Sequence, residues 1–332
     1  GKCPLLPKSR WELKRRHCRV CRFRRCVEAG MNPMGIVVEE DALEQSLQRH
    51  SLFLNDRVMI VDELVNRLVD NLAYLDFKLE QLRKSDLNPH PSDPQSIIDV
   101  LKRHSAMGQP QQEMTGWPLK QGTTRAVMSL EEHAQLRIPL QRLSTDGLPP
   151  SFKFWFYADL VFAVEWAKAL DFFRLLDLAD QRALICFSAM QILNLTHSYF
   201  SYSNGSDKTV FPDGIFSIWS PRGAGRDVIN PFLQLKIDKT EYLILKSLVI
   251  CNPSCDPLSD RARAILQKER KTLTRVLLNY CLKRHGPARG AARFGEIIAI
   301  EGILLNQAMK TKQLSSLLSV LNLRPMRIHL MD

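Results

Sequence analysis

Between residues 152 and 322 the chain is almost continuous helix-period pattern, and no other feature restricts its fold as much. Apolar residues recur at helical spacing over 152–170, 180–201, 239–250, 259–284 and 291–322. Such stretches must bury one face against another helix, which predicts an all-α domain. One interruption breaks the pattern. Thr209, Val210 and Phe211 precede Pro212-Asp213-Gly214, and Ile215, Phe216, Ile218 and Trp219 follow. β-Branched and aromatic residues around a turn signal predict one small β-hairpin.

Upstream, Val61, Leu64, Val65, Leu68, Leu72, Leu75, Leu79 and Leu82 form a further helical stripe, broken by Ser85-Asp86-Leu87-Asn88-Pro89. Residues 86–148 are rich in Pro, Gln, Ser and Gly and read as a long mobile loop, with one short helix over 97–104. Residues 37–56 carry no strong periodicity and read as a hinge. No run of about 18 apolar residues is present, so no membrane span is expected. The basic N-terminus has no apolar stretch of the secretory kind.

Charge is concentrated at one end. Residues 1–36 hold ten Lys and Arg against Glu12 and Glu28, a net +8 of the chain's +11. A basic block beside a near-neutral body points to a polyanion contact; a solvated basic tail is the plainer alternative. Cys3, Cys18, Cys21 and Cys26 crowd the same block, whereas Cys186, Cys251, Cys255 and Cys281 are scattered through apolar or loop sequence and read as small buried hydrophobes or idle thiols. The pair Cys18-Arg19-Val20-Cys21 has the spacing with which two thiolates grip one tetrahedral Zn(II), and a closed site takes two more ligands. Cys3 is the natural third. His17 is poorly placed and His50 is distant, so a fourth ligand is expected to precede residue 1.

Cys18-Arg-Val-Cys-Arg-Phe-Arg-Arg-Cys-Val-Glu-Ala-Gly-Met31 resembles the end of the second zinc finger of nuclear receptors. The resemblance makes Cys18 and Cys21 the last two zinc ligands and Cys26 a buried non-ligand thiol. Gly1-Lys2-Cys3 resembles the segment that carries an earlier ligand. Fourteen residues separate Cys3 from Cys18, five more than in the family pattern; either the loop carries an insertion, the preferred reading, or Cys3 is not that ligand. Arg15, Arg16, Arg19, Arg22, Arg24 and Arg25 lie on or beside one short helix started by the zinc knot, as residues that neutralise phosphates. The family reads bases with a helix of its first finger, which precedes this segment.

A second resemblance lies downstream. Glu165-Trp166-Ala167-Lys168 followed by Asp180-Gln181 is similar to the ligand-binding-domain signature of nuclear receptors, with Asp180 expected to cap the second helix. The run 241–253, Leu258-Ser259-Asp260 and Arg293-Phe294 fit the same family, which pairs an acid and an Arg at the positions of Glu241 and Arg293. Residues 69–75 and 82–89 are similar to the first ligand-domain helix of nematode-type supplementary receptors. The implied fold is mostly α: a small zinc-binding module (1–36), a hinge (37–56), and an all-α three-layer helical sandwich (57–332) with one small β-hairpin.

The resemblance further implies a groove for a coactivator or corepressor helix, its ends met by Lys168 and by Asp332 of the last helix. Arg327 and His329 depart from the neutral or apolar types of that helix, and the chain stops at Asp332. Cys186 and Phe187 stand where a basic residue often follows the Asp-Gln pair. A lipophilic ligand is implied at family level; Phe154, Phe162, Met190 and Phe200 line a pocket or fill the core. The remaining implied partners are double-stranded DNA and a homo- or heterodimer mate, in the nucleus, without a membrane. G-x-G-x-x-G, P-loop, H-E-x-x-H and G-x-S-x-G motifs are missing from the sequence, so an enzyme is not expected, and His197 reads as a satisfied core or pocket histidine. The competing reading is a ligand-domain scaffold that acts by dimerisation or corepressor binding without DNA.

Overall fold

The computed structural model describes residues 65–89, 95–114, 153, 155–213 and 226–320, and among these described residues ten helical segments, taken in chain order, account for nearly all of the regular structure. These residues fall within one compact unit, Val65–Asp332. The helices are α1 (65–83), α2 (Ile97–Lys102), a 3-10 turn (Ala106–Gly108), α3 (Trp155–Lys168), α4 (Asp171–Arg174), α5 (Leu178–Ser203), α6 (Arg226–Leu235), α7 (Lys239–Ile250), α8 (Asp260–His285) and α9 (Pro287–Val320).

They stack as a three-layer all-α sandwich. α1 and α3 form one outer layer, α5, α7 and α8 the middle, and α6 and α9 the other outer layer. α3 is apolar almost all round, from Tyr157 to Ala167, because it is covered on several sides. α1 buries Leu72, Leu79 and Leu82 on the stripe that the sequence marked. Its end is tied down: the Ser85 hydroxyl donates to the Leu82 carbonyl, Asp86 N–H to Gln112 O, and Met114 N–H to Lys84 O.

Termini follow local chemistry. Ser259 starts α8 by accepting from Ala262 N–H, and Gly286 ends it at φ 80°, a conformation that costs glycine nothing. Asp238 and Glu241 form a reciprocal capping box at the start of α7. α5 starts at Leu178, so Asp180 is not its cap but lies in the first turn. The Asp180 carboxylate instead accepts from Ser259 N–H (2.8 Å) and the Ser259 hydroxyl (2.6 Å), joining α5 to α8.

One fold expectation is overturned. The small β-hairpin expected over 209–219 is not found: among the described residues there is no β-strand, only isolated bridge positions such as Ser85 with Glu113 and Val210. At Val210 the backbone N–H is taken by Ser201 Oγ at 3.0 Å. The residue is thereby held by the C-terminal turns of α5. Residues 214–219 lie outside the described residues. α6 was not legible beforehand, since Pro231 sits inside it and prolines normally argue against a helix interior.

Candidate functional site

The end of α3 and the start of α5 are locked by side chains that sequence pattern singled out. Gln181 donates from its amide to the Phe173 carbonyl (3.0 Å), fixing the turn between α4 and α5. Phe172, Phe173 and Leu176 are buried beneath it. This turn presents Leu160 and Val164 of α3 beside Ile185, Cys186, Ala189 and Met190 of α5, and Ile97 of α2 closes the same crevice, which has about 10 Å³ of free space. That volume is water-sized, far below the several hundred Å³ of a ligand cavity.

The α2 helix is seated on this surface. Ile97, Val100 and Leu101 are all buried, at the i, i+3, i+4 spacing that gives a short helix one apolar face. Ser96 caps its N-terminus by accepting from Asp99 N–H. The C-terminus is met by Lys168, whose ammonium donates to the carbonyls of Val100 (2.8 Å) and Arg103 (2.9 Å). A cation at a helix C-terminus satisfies orphan carbonyls and complements the helix dipole. Burial pulls the Lys168 ammonium down from its ordinary pKa, and the Glu165 carboxylate opposes that pull.

Glu165 is the pivot of the seat. It is fully buried and accepts from Arg103 Nε (3.0 Å), from the Ala106 N–H (2.9 Å) and from Lys168 (3.3 Å). Arg103 also donates to the Gln95 side chain, and the Tyr157 hydroxyl accepts from Gln95 N–H. The role of Glu165 was not foreseen. Its signal was position: three residues before Lys168, one turn away on the same helix face. Lys312 of α9 donates to the Cys186 carbonyl (3.0 Å), so a cation reaches the rim of the crevice from a distant part of the chain.

A second polar cluster lies deeper. Arg83 at the end of α1 donates to both oxygens of Asp159 (2.8 and 3.1 Å), and His197 Nε2 lies 2.7 Å from Asp159 Oδ2. Phe200 packs against the Arg83 guanidinium and Phe211 against His197. Lys153 donates to the carbonyls of Arg83 and Ser85, and burial pushes its ammonium down to about 8. The signal for this cluster was Asp159, which with Glu165 is one of two acids inside an otherwise apolar helix. Phe162 and Met190 are buried in the core.

Asp159 makes stability acid-sensitive. Burial alone would raise its carboxyl, but Arg83 and the His197 hydrogen bond outweigh burial and hold it well below the usual range. Asp76, paired with Lys246 (2.9 Å) and Lys239, is held down in the same way. A carboxylate with a lowered folded-state pKa stabilises fully above its unfolded value, about 3.9, and loses that contribution as pH falls below it. Urea unfolding followed between pH 7 and pH 3 is therefore expected to show stability falling below about pH 5, with a shallower fall in Asp159→Asn.

Glu241 and Arg293 meet in a two-bond contact: Arg293 Nε to Glu241 Oε1 at 2.9 Å and Nη2 to Oε2 at 2.6 Å. Arg293 also donates to the carbonyls of Leu235 and Lys236, so one guanidinium joins α9 to the α6–α7 turn. Cys251, Cys255 and Cys281 are buried free thiols and Cys186 is half-buried; burial pushes Cys251 up to about 12 and Cys255 and Cys281 up to about 11. Such thiols are inert. Cys3, Cys18, Cys21, the six N-terminal arginines, Phe154 and Asp332 lie outside the described residues. Among the described residues there is no group of three or more His, Cys, Asp or Glu fit to hold a metal ion, and no helix is long and apolar enough to cross a membrane.

Comparisons with known proteins bear on the same residues. The family model described as the ligand-binding domain of nuclear hormone receptor matches residues 149–320. Three similar proteins of Caenorhabditis elegans carry the name nuclear hormone receptor family member. Nhr-136 is 26% identical over 325 residues, covering 91% of this chain and 70% of its own length. Nhr-154 is 27% identical over 323 residues, with 91% and 64% covered. Nhr-60 is 29% identical over 350 residues, with 96% and 75% covered.

Proposed function

The chain belongs to the nuclear hormone receptor family, and from that premise we propose that it is a DNA-binding transcription regulator that recruits a coregulator helix to the surface between α3 and α5. The nuclear-receptor ligand-binding-domain fold is non-catalytic, and the chain's role is not that of an enzyme. The observation that carries the reading is the seat itself: an apolar crevice beside an ammonium, Lys168, aimed at helix C-terminal carbonyls. A surface of that kind fits helix-in-groove recognition. Asp332 would meet the other end of the bound helix.

The N-terminal block supplies the second half of the proposal. Cys3, Cys18 and Cys21 form a soft thiolate set that suits zinc, three of the four ligands that a closed site takes. Bound there, zinc would supply folding energy and the start of a helix, with no chemistry of its own. Arg15, Arg16, Arg19, Arg22, Arg24 and Arg25 would then contact DNA phosphates, positioning the domain without reading sequence. The proposed site of action is the nucleus, as a homo- or heterodimer. Of the residues expected to line a lipophilic-ligand pocket or fill the core, Phe162 and Met190 are buried.

The test is a DNA pull-down of the full-length protein with zinc present, repeated with a chelator and with Cys18→Ser. Retention is expected with zinc and not in the other two. Its logarithm should fall with log salt at a slope of about −5 if all six arginines contact phosphate. Retention that ignores the chelator would overturn the zinc-held DNA module.

A further inference from the structure

The surface assigned above to a coregulator is already filled by this chain. The helix Ile97–Lys102 packs on α3 and α5, lays Ile97, Val100 and Leu101 into the core, and has its terminal carbonyls met by Lys168. We propose that this helix is a built-in occupant of the coregulator surface, and that a partner helix with apolar residues at i, i+3 and i+4 docks by displacing it. This rests on the coregulator reading above.

Three features fit a displaceable occupant better than a permanent core element. The helix has six residues, too short to persist in water without its seat. Its polar anchors, Gln95, Arg103 and the Ala106 N–H, lie on flanking residues and converge on Tyr157 and Glu165, so they release together. The crevice beneath Ile97 is not completely filled, and a bulkier side chain at the same position would fill it. An incoming helix offers Lys168 the same free carbonyls and offers Leu160, Val164 and Ile185 the same apolar face. Exchange therefore keeps Lys168 and the apolar face of the crevice satisfied, and Glu165, which gives up Arg103 and the Ala106 N–H, retains Lys168 as its partner.

A tethered occupant weakens an external ligand by the fraction of time it vacates the seat. For a short segment at millimolar effective concentration, that amounts to roughly 10- to 100-fold.

The test uses the full chain and two fluorescent peptides: residues 94–108 of this sequence, and a designed helix with leucines at i, i+3 and i+4. In Val100→Asp, which expels the segment, both peptides are expected to bind about 10- to 100-fold tighter than to the native chain, each competing with the other. Adding Lys168→Ala should weaken both about tenfold. Saturating the native chain with the leucine helix should speed hydrogen exchange at the Val100 and Arg103 amides, which bond to Ser96 O and Asp99 O; this measurement keeps the proposal testable should Val100→Asp unfold. Equal binding of the leucine helix to native chain and variant, with exchange at those amides unchanged, would overturn self-occupancy and leave the coregulator reading standing. If the chain's own peptide binds Val100→Asp but the leucine helix neither competes nor alters exchange, the segment is a permanent structural element and the proposal fails. Failure of the leucine helix to bind a folded variant in which the seat is empty would count against the coregulator reading as well.

Discussion

Asp159→Ala is expected to remove about 3–5 kcal/mol from the folding stability at neutral pH, the cost of deleting one partner from a buried ion pair. The reason is what remains. Arg83 is fully buried and loses both of its bonds to Asp159, keeping one to Glu80 at 3.0 Å. His197 loses its polar partner at the same time. The guanidinium cannot escape by deprotonating, since arginine stays charged in proteins. Two further variants separate the cost of isolating a charge from the worth of the pair. Arg83→Met should cost less than Asp159→Ala only if the stranded carboxylate is relieved by protonation or by His197. The double variant Arg83→Met with Asp159→Leu should recover most of the loss, because apolar replacement of a buried pair is often near neutral. Urea unfolding by circular dichroism gives all three numbers. A loss below about 1 kcal/mol in Asp159→Ala, typical of an exposed pair, would mean that the cluster is open to solvent.

What the sequence disclosed follows from how local each feature is. The long helices were visible because burial of one face imposes a period that apolar residues display directly. The pattern over 239–250 coincides with α7, and the stretches read over 180–201 and 259–284 differ from α5 and α8 by one to two residues at each end. α6 was hidden because Pro231 breaks the local rule, and only tertiary packing of Val228, Ile229 and Phe232 restores it. The hairpin signal failed for the converse reason. Its residue types were right, but the described part of the segment is tied to α5 through Val210 N–H and Ser201 Oγ, and Val210 holds an isolated bridge position and not a strand. Asp180 shows the same limit: an acid at a helix start reads as a cap, whereas its partner here is Ser259, distant in sequence and near in space.

The candidate site was legible in outline only. Lys168 stood out through its place in the Glu-Trp-Ala-Lys run, but nothing in the order of residues says that its ammonium meets the carbonyls of Val100 and Arg103. The segment 95–107 lay in a Pro- and Gln-rich region that composition marks as loop. Its only local signature is Ile97-x-x-Val100-Leu101, and a spacing that short occurs often by chance. The bond network through Glu165 joins residues some sixty positions apart, which no periodicity can report.

Glu241→Ala should cost about 3 kcal/mol, the second large loss anticipated, and the chemistry of α7 explains why one residue carries so much. Its carboxylate is fully buried and serves two elements at once: it accepts the Asp238 N–H in the capping box and both prongs of Arg293. Truncation therefore removes the returning half of the capping box, the bond from Asp238 N–H, and leaves a half-buried guanidinium with carbonyl partners alone. Glu241→Gln keeps the cap and loses the charge, so it should fall between the two. Because the two side chains touch, Arg293→Met and Glu241→Ala should be non-additive, with a coupling of about 1–3 kcal/mol in a double-mutant cycle. The loss should also be localised. α9 remains fastened to the rest of the fold through Arg270 and Glu301 at 2.7 Å, well along the helix, so its N-terminal turns are the part set free, and hydrogen exchange there should quicken before the domain unfolds. Additive single losses, or exchange that quickens uniformly along α9, would show that this contact is a surface pair and not the fastening of α9 to the α6–α7 turn.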